Sequence, residues 1–171
     1  MRVNLHLGAH KTATTSLQAV LKKNRRLLSE NDIFYYPREE FRDEVTRPYF
    51  YPRVLKKSGK VRLLDVIQDS GLYRGEEKVV ISEENLLSLV QEIFVREEFY
   101  PSAGERLEKM KYFFDGVEVD GVFFTVREYV GFIPSVYTQI NKSLKFVDFE
   151  GFKKNFSSWG FSWLSVVEDI S

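Results

Sequence analysis

The sequence predicts an α/β protein of three layers, in which helices cover both faces of a parallel sheet. Two observations lead to this fold class. Strand-like segments alternate with helical periodicity along the 171 residues. The apolar runs near residues 3–7, 78–82 and 119–126 are typical of buried parallel strands. No internal repeat or low-complexity tract interrupts the chain, which predicts a single domain over residues 1–171.

The first part of the chain predicts a strand, a loop, a helix and a second strand. Apolar and polar residues alternate over residues 3–7, and leucines and valines recur every three or four positions over 14–28, the period of an amphipathic helix. Residues 33–37 form a short apolar run that ends at Pro37, which predicts a strand. The charged and aromatic segment 38–60 is expected to be an irregular excursion with a short helix.

The remaining elements follow from the same patterns. In chain order they are a helix over 61–72, a strand over 77–82, a helix that starts at Leu86, a helix over 103–114, a strand over 117–126, and helices over 129–144 and 149–170. The strand over 117–126 is expected to be central in the sheet because its second half is almost entirely apolar.

Composition excludes several classes of protein. The formal net charge is +0, so the chain lacks the basic excess of a nucleic-acid-binding protein. There is no Cys and there are only two His, His6 and His10, which predicts no metal site and no disulfide. The N-terminus does not read as a signal peptide and no window is apolar enough for a membrane span, so a soluble cytoplasmic protein is expected.

The segment from Gly8 to Thr15 predicts a phosphate-binding loop. It joins the first strand to the first helix, and a helix N-terminus offers unpaired N–H groups and a partial positive charge to an anion. Lys11 would add a full charge, and Thr12, Thr14 and Thr15 would add hydroxyl donors. The alternative is an ordinary turn in which the threonines only cap the helix.

The order Lys-Thr-Ala-Thr-Thr differs from a Walker A loop, which requires G-x-x-x-x-G-K-[ST]. It resembles the 5′-phosphosulfate loop of sulfotransferases, in which K-T-G-T-T binds the sulfate donor 3′-phosphoadenosine 5′-phosphosulfate (PAPS). Ala13 stands where that family has Gly. The resemblance implies a P-loop-like fold and donor contacts from Gly8, Ala9, His10, Lys11, Thr12, Ala13, Thr14 and Thr15.

A second segment also resembles sulfotransferase sequence. In that family an Arg ends a strand, a Ser follows eight residues later on the next helix, and the pair binds the 3′-phosphate of PAPS. Arg127 and Ser135 have this spacing. The alternatives are a surface ion pair of Arg127 with Glu128 and a helix cap at Ser135.

Further matches to a bacterial branch of the family are patchy and run from residue 3 to about residue 140. They include Ile33–Pro37 and the segment Ile81–Leu86, which is similar to an I-S-S-E segment and gives Glu84 the position of the Glu. Segments 38–60 and 88–116 contribute nothing specific to the resemblance.

The resemblance implies transfer of a sulfuryl group from PAPS to a hydroxyl or amine of a small molecule or glycan, without a metal. Lys11 would neutralise the leaving group. Glu84 is the first candidate for the general base, Glu83 the second and His10 the third.

Three alternatives remain open at this point. The chain is an enzyme, a non-catalytic nucleotide-binding or interaction protein that keeps the fold, or a P-loop kinase, the last disfavoured because Walker A is absent. Sulfotransferases normally continue well beyond the 3′-phosphate segment, whereas here only residues 140–171 follow Gln139. A fragment, a minimal version, or a homo-oligomer or other partner that completes the site would each account for this.

Overall fold

The computed structural model describes residues 1–51, 61–95, 98–143, 146–154 and 161–171. Its strands are β1 Arg2–His6, β2 Ile33–Tyr36, β3 Lys78–Ser82, β4 Phe94–Val95, β5 Glu98–Phe99 and β6 Glu118–Phe123. Its α-helices are α1 Thr14–Lys23, α2 Arg25–Glu30, α3 Arg38–Phe41, α4 Leu63–Asp69, α5 Ala103–Phe113, α6 Tyr129–Ser143, α7 Phe149–Lys153 and α8 Trp163–Ile170. A π-helix, Arg42–Phe50, continues α3, and two 3₁₀ turns cover Glu84–Leu86 and Val90–Glu92.

Four strands form a parallel sheet in the order β2-β3-β1-β6, while β4 and β5 form a separate antiparallel pair. In the parallel sheet, Leu5 of β1 lies opposite Ile81 of β3 and Val122 of β6. The prediction of an α/β protein with a parallel sheet is therefore confirmed. Because β1 is an interior strand, its carboxyl end lies between the carboxyl ends of β3 and β6.

Helices lie close to β1 and β3. Leu5 and Leu7 share an apolar cavity of about 350 Å³ with Met110 of α5 and Ile170 of α8. His6 points to the opposite face, because side chains alternate along a strand. Its ring contacts the Ser82 hydroxyl, and Gln18 of α1 donates to the Ser82 carbonyl at 3.0 Å. The sheet thus holds α1, with the loop before it, close to the end of β3.

An aromatic cluster fixes the connection between β6 and α6. The Trp163 ring stacks on Tyr129 with the ring centroids 5.8 Å apart, and its indole N–H donates to the carbonyl of Arg127 at 2.8 Å. Phe99 and Phe132 pack against the same indole, each with a centroid separation of 4.9 Å. Helix α8 therefore holds the backbone of the segment that carries Arg127.

The strand predicted over 117–126 is present as β6, but the prediction that it is central in the sheet is wrong, and the strand is shorter than predicted. β6 ends at Phe123, and among the described strands it pairs only with β1, so it lies at an edge of the sheet. Val119, Val122 and Phe123 are 41%, 44% and 56% exposed. An apolar run in the sequence predicts a strand, but the elements that pack against that strand in the fold determine whether its side chains are buried.

Helix boundaries also differ from the predictions. The helix over 14–28 is interrupted at Asn24, whose side-chain amide donates to the Val20 carbonyl at 2.8 Å and so competes with the backbone. The helix predicted from Leu86 is a 3₁₀ turn, since the Glu83 carboxylate accepts from the N–H of Asn85 and fixes a tight turn there.

The other predicted helices differ from the structure in extent. The helix over 61–72 is shorter, Leu63–Asp69, and that over 103–114 is found as α5. The single helix over 149–170 is two short helices, α7 and α8. The short helix expected within segment 38–60 is present as α3, and the π-helix extends helical structure further, to Phe50; residues 52–60 lie outside the described residues.

Candidate functional site

The loop between β1 and α1 has an unusual backbone. Lys11 and Ala13 adopt φ values of 65° and 63°, in the left-handed region that glycine occupies most readily. Gly8 also has a positive φ of 32°, and a Cβ there would lie 2.9 Å from Cε1 of His6 and 3.0 Å from Oγ1 of Thr14. Close packing against His6 and Thr14 therefore requires glycine at position 8.

The N-terminus of α1 is not capped by a side chain. Ala13 is the N-cap residue and supplies no side-chain hydrogen bond. Its carbonyl accepts from the N–H of Ser16 at 2.9 Å, as an N-cap carbonyl does. The threonines therefore do not cap α1, and the alternative of an ordinary capping turn is wrong. The first N–H groups of α1 remain available to a ligand.

A cavity of about 560 Å³ opens in front of this helix end. Its wall contains many of the residues that the sequence predicted: His10, Lys11, Ala13, Thr14, Thr15, Glu84, Arg127 and Ser135. Gly8, Ala9, Thr12 and Glu83 are not part of that wall. The structure thus brings three separate segments of the chain to one cavity, at the carboxyl ends of β1, β3 and β6.

On the β6 side of the cavity, Arg127 makes long and partly exposed contacts. The Arg127 guanidinium donates to the Lys11 carbonyl at 3.3 Å and lies 3.5 Å from the carboxylate of Glu128. The expected surface ion pair with Glu128 is therefore present, but it is long and exposed. Ser135 lies in the interior of α6, so it is not a helix cap.

Lys11 is held towards α6. Its ammonium group donates to the side-chain oxygen of Gln139 at 3.1 Å. Gln139 was not among the predicted site residues, although it follows Ser135 by four positions and so shares a helix face with it. The amide of Gln139 therefore belongs to the cavity wall together with Ser135.

The β3 side contains an ionic cluster that the sequence did not predict. The Arg42 guanidinium binds both oxygens of Glu83, at 2.9 Å and 2.6 Å, and one oxygen of Glu84 at 3.3 Å. Gln18 donates to the other oxygen of Glu84 at 3.1 Å. Arg42 belongs to the segment expected to be irregular, and no spacing in the sequence links it to the glutamates.

The two glutamates differ in environment. Burial raises the pKa of Glu83 despite its hydrogen bonds from Arg42, and this side chain is 0% exposed. For Glu84 burial also acts to raise the pKa, but hydrogen bonding and the charge of Arg42 outweigh it, so the pKa is lowered. Glu84 is therefore the ionised carboxylate that faces the cavity.

His10 is a buried, neutral histidine whose ring nitrogens both have partners. Burial lowers its pKa to about 4. Nε2 lies 3.1 Å from Oδ1 of Asn85, and Nδ1 lies 3.4 Å from the hydroxyl of Tyr100. The Asn85 oxygen can only accept, so Nε2 carries the proton and the Nδ1 lone pair is directed at Tyr100. This pairing leaves His10 poorly placed to take a proton from a substrate.

No model of a known protein family matches the chain, and neither a curated protein nor a solved structure matches it. In the part of the chain that the structure describes, no helix combines the length and apolar character needed to cross a bilayer. Nor do the described residues bring three or more His, Cys, Asp or Glu side chains into a group that could hold a metal ion.

Proposed function

We propose that this protein is a PAPS-dependent sulfotransferase with a three-layer fold of the P-loop type. The observation that carries the proposal is the shared cavity: the uncapped end of α1, Lys11, Arg127 and Glu84 face one space at the carboxyl edge of a parallel sheet. This edge is where open α/β sheets bind their ligands. The cavity volume of about 560 Å³ falls within the usual range for small-molecule sites.

The donor would bind across the loop and the β6 side. The N–H groups at the start of α1, together with Lys11 and the hydroxyls of Thr14 and Thr15, suit the 5′-phosphosulfate. Arg127 offers a planar charged fork, and Ser135 a short hydroxyl donor, to the 3′-phosphate. The contacts of Arg127 with the described residues are long, so a phosphate would replace weak interactions with stronger ones.

Transfer requires one bond to form at sulfur while another breaks. The acceptor oxygen or nitrogen attacks the sulfuryl group, the bond from sulfur to the bridging oxygen breaks, and 3′-phosphoadenosine 5′-phosphate (PAP) leaves. Lys11 stabilises the charge that develops on the bridging oxygen, and Glu84 takes the proton of the acceptor. Arg42 and Gln18 hold the two oxygens of Glu84. The acceptor is a small molecule or glycan with a free hydroxyl or amine.

A non-catalytic nucleotide-binding protein is the second candidate, and one observation favours it. Val122 and Phe123 of β6 are 44% and 56% exposed, and the side chain of Arg127, which lines the cavity beyond the end of β6, is 40% exposed. Solvent at that side would weaken every charge that should stabilise the transferring group. A second copy of the chain, or another partner, that covers this side would restore a closed site.

The first test compares nucleotides. PAP, at a hundred times its Kd, should add about 2.7 kcal/mol to the free energy of unfolding, whereas ATP with Mg²⁺ should add much less. Chemical unfolding with and without each nucleotide measures this. Equal stabilisation by both would contradict the PAPS assignment and favour a kinase.

The second test separates an enzyme from a binding protein. Glu84→Gln keeps the shape of the side chain but cannot take a proton, so turnover should fall by about 10²–10⁴ while PAP affinity stays nearly unchanged. Release of PAP from PAPS is followed with water and with a panel of acceptors. Glu150→Gln, a change of the same kind at an exposed residue that does not line the cavity, is the matched control. A wild-type protein that binds PAP but turns over nothing would support the non-catalytic candidate.

A further inference from the structure

His6 is a buried titratable residue for which the proposed reaction has no role. It is only 8% exposed and lies beneath the loop, in close contact with Gly8. Its Nδ1 is 2.8 Å from the hydroxyl of Ser82, and its Nε2 is 3.3 Å from the hydroxyl of Thr125. The ring therefore bridges the carboxyl ends of β3 and β6 under the anion loop.

Hydroxyl groups continue this bridge into the loop. The Thr125 and Thr12 hydroxyl oxygens are 3.1 Å apart, and Thr12 donates its hydrogen to the carbonyl of Ala9. Thr14 lines the cavity, and its hydroxyl oxygen is 3.4 Å from that of Thr12. The cavity wall is thus connected to His6 through Thr12 and Thr125.

The carbonyl of Ala9, which ends this series of hydrogen bonds, determines which group donates in each of them. A carbonyl oxygen can only accept, so the Thr12 hydrogen is committed to Ala9 and the contact between Thr12 and Thr125 uses the Thr125 hydrogen. The Thr125 oxygen then accepts from His6, which places the ring proton on Nε2 and leaves Nδ1 to accept from Ser82. Burial lowers the pKa of His6, in keeping with this neutral ring.

We propose that His6 is a positioning residue that holds the backbone of the anion loop through two hydroxyl groups. The inference rests on the proposed anion-binding role of the loop. His6 donates to Thr125, Thr125 donates to Thr12, and Thr12 donates to the carbonyl of Ala9, so these bonds fix the turn from Ala9 to Thr12. Without the His6 donor, the Thr125 hydroxyl can rotate away from Thr12, and the loop loses a bond that sets its backbone for the anion.

Two isosteric variants separate positioning from packing. Gln at position 6 can place its amide N–H near Nε2 and keep the bond to Thr125, whereas Asn can reach only the Ser82 side. His6→Asn should weaken binding of inorganic pyrophosphate by about 3- to 12-fold, the loss of one neutral hydrogen bond, while His6→Gln should stay close to wild type. Thr125→Val should match His6→Asn, and the two changes combined should add no further loss.

Calorimetric titration with pyrophosphate, alongside urea unfolding of each variant, provides the measurements. Equal loss of affinity in His6→Gln and His6→Asn, in step with equal loss of stability, would show that the ring only packs under the loop and would overturn the inference. Additive losses in the double variant, or a wild type that does not bind pyrophosphate, would also overturn it. A wild type that binds pyrophosphate but not PAP would refute the proposed function while the comparison of variants still decides the role of His6.

Discussion

The carboxyl ends of β3 and β6 face the same cavity but are built in opposite ways. At the end of β3, Glu83 is 0% exposed and both of its oxygens are bound by Arg42. At the end of β6, the side chain of Arg127 makes one long hydrogen bond and one long ion pair with the residues that the structure describes. At the β3 end the charged groups are thus paired with each other, whereas at the β6 end the Arg127 guanidinium can still donate hydrogen bonds to a ligand.

Because of this difference, the β3 end should contribute mainly to folding stability and the β6 end mainly to ligand affinity. A buried charge that loses its partner costs stability, because no water replaces the lost bonds. An exposed charge contributes little to folding, but it can bind an anionic ligand strongly once the two groups meet. Changes at the β3 end should therefore alter folding first, and changes at the β6 end should alter ligand affinity first.

The largest expected effect is at the β3 end. Glu83→Gln removes the carboxylate and leaves Arg42 underpaired, so the free energy of unfolding should fall by about 3 kcal/mol, near the lower end of the range for a broken buried pair. Urea denaturation measures this loss. Glu128→Gln should change the same quantity by less than about 0.5 kcal/mol, because that carboxylate is exposed. Similar losses in both variants would remove the contrast between the two strand ends.

The next effect concerns the β6 end. Arg127→Ala should weaken PAP binding by about 1.5–3 kcal/mol, that is, roughly 10- to 150-fold, since a charged hydrogen-bond donor is lost. Stability should hardly change, because the bond from Trp163 is made to the backbone carbonyl of Arg127. Calorimetric titration with PAP is the measurement, and Arg26→Ala, on the exposed face of α2, is the control. Unchanged PAP affinity would place the nucleotide elsewhere.

A pH effect sharpens the comparison, because His10 lies on the buried side of the cavity. Its pKa is lowered to about 4 in the folded protein, against about 6.5 when unfolded. Between these values the unfolded chain binds a proton that the folded protein does not, so stability should fall as the pH decreases from 7 towards 4. Urea unfolding at pH 7 and pH 5 should show a smaller decrease for His10→Gln than for wild type. Parallel decreases would mean that His10 titrates normally.

The smallest effect tests the loop between the two ends. Ala13 has a φ of 63°, so Ala13→Gly should raise the free energy of unfolding by about 0.5–1 kcal/mol through relief of left-handed strain. Ala19→Gly, an exposed position within the same helix, should lower it by about 1 kcal/mol. Opposite signs are expected from the same chemical change, and equal signs would show that position 13 is not strained.

Sequence patterns predicted the main strands and the loop because these features depend on neighbours in the chain. Alternation over residues 3–7 and the apolar run at 78–82 correspond to β1 and β3. Lys11, Thr14 and Thr15 reach the predicted cavity because a strand, a tight loop and a helix follow one another directly. The order of these elements along the chain was sufficient to predict this part of the site.

Contacts between distant residues decided the rest. Arg42 meets Glu83 and Glu84 only because the π-helix folds across the end of β3, and no periodicity encodes that approach. Its position also distinguishes the carboxylate that faces the cavity from the one that is buried by the ion pair.

By itself, the sequence determined the α/β alternation and the cationic, hydroxyl-rich loop, since both arise from short-range pattern and turn chemistry. Only the tertiary structure decided that β6 lies at an edge with Phe123 exposed, that His10 has no free lone pair, and that His6 bridges two strand ends. The physical reason is that burial and hydrogen-bond partners are properties of the space around a side chain, which packing creates and local sequence does not specify.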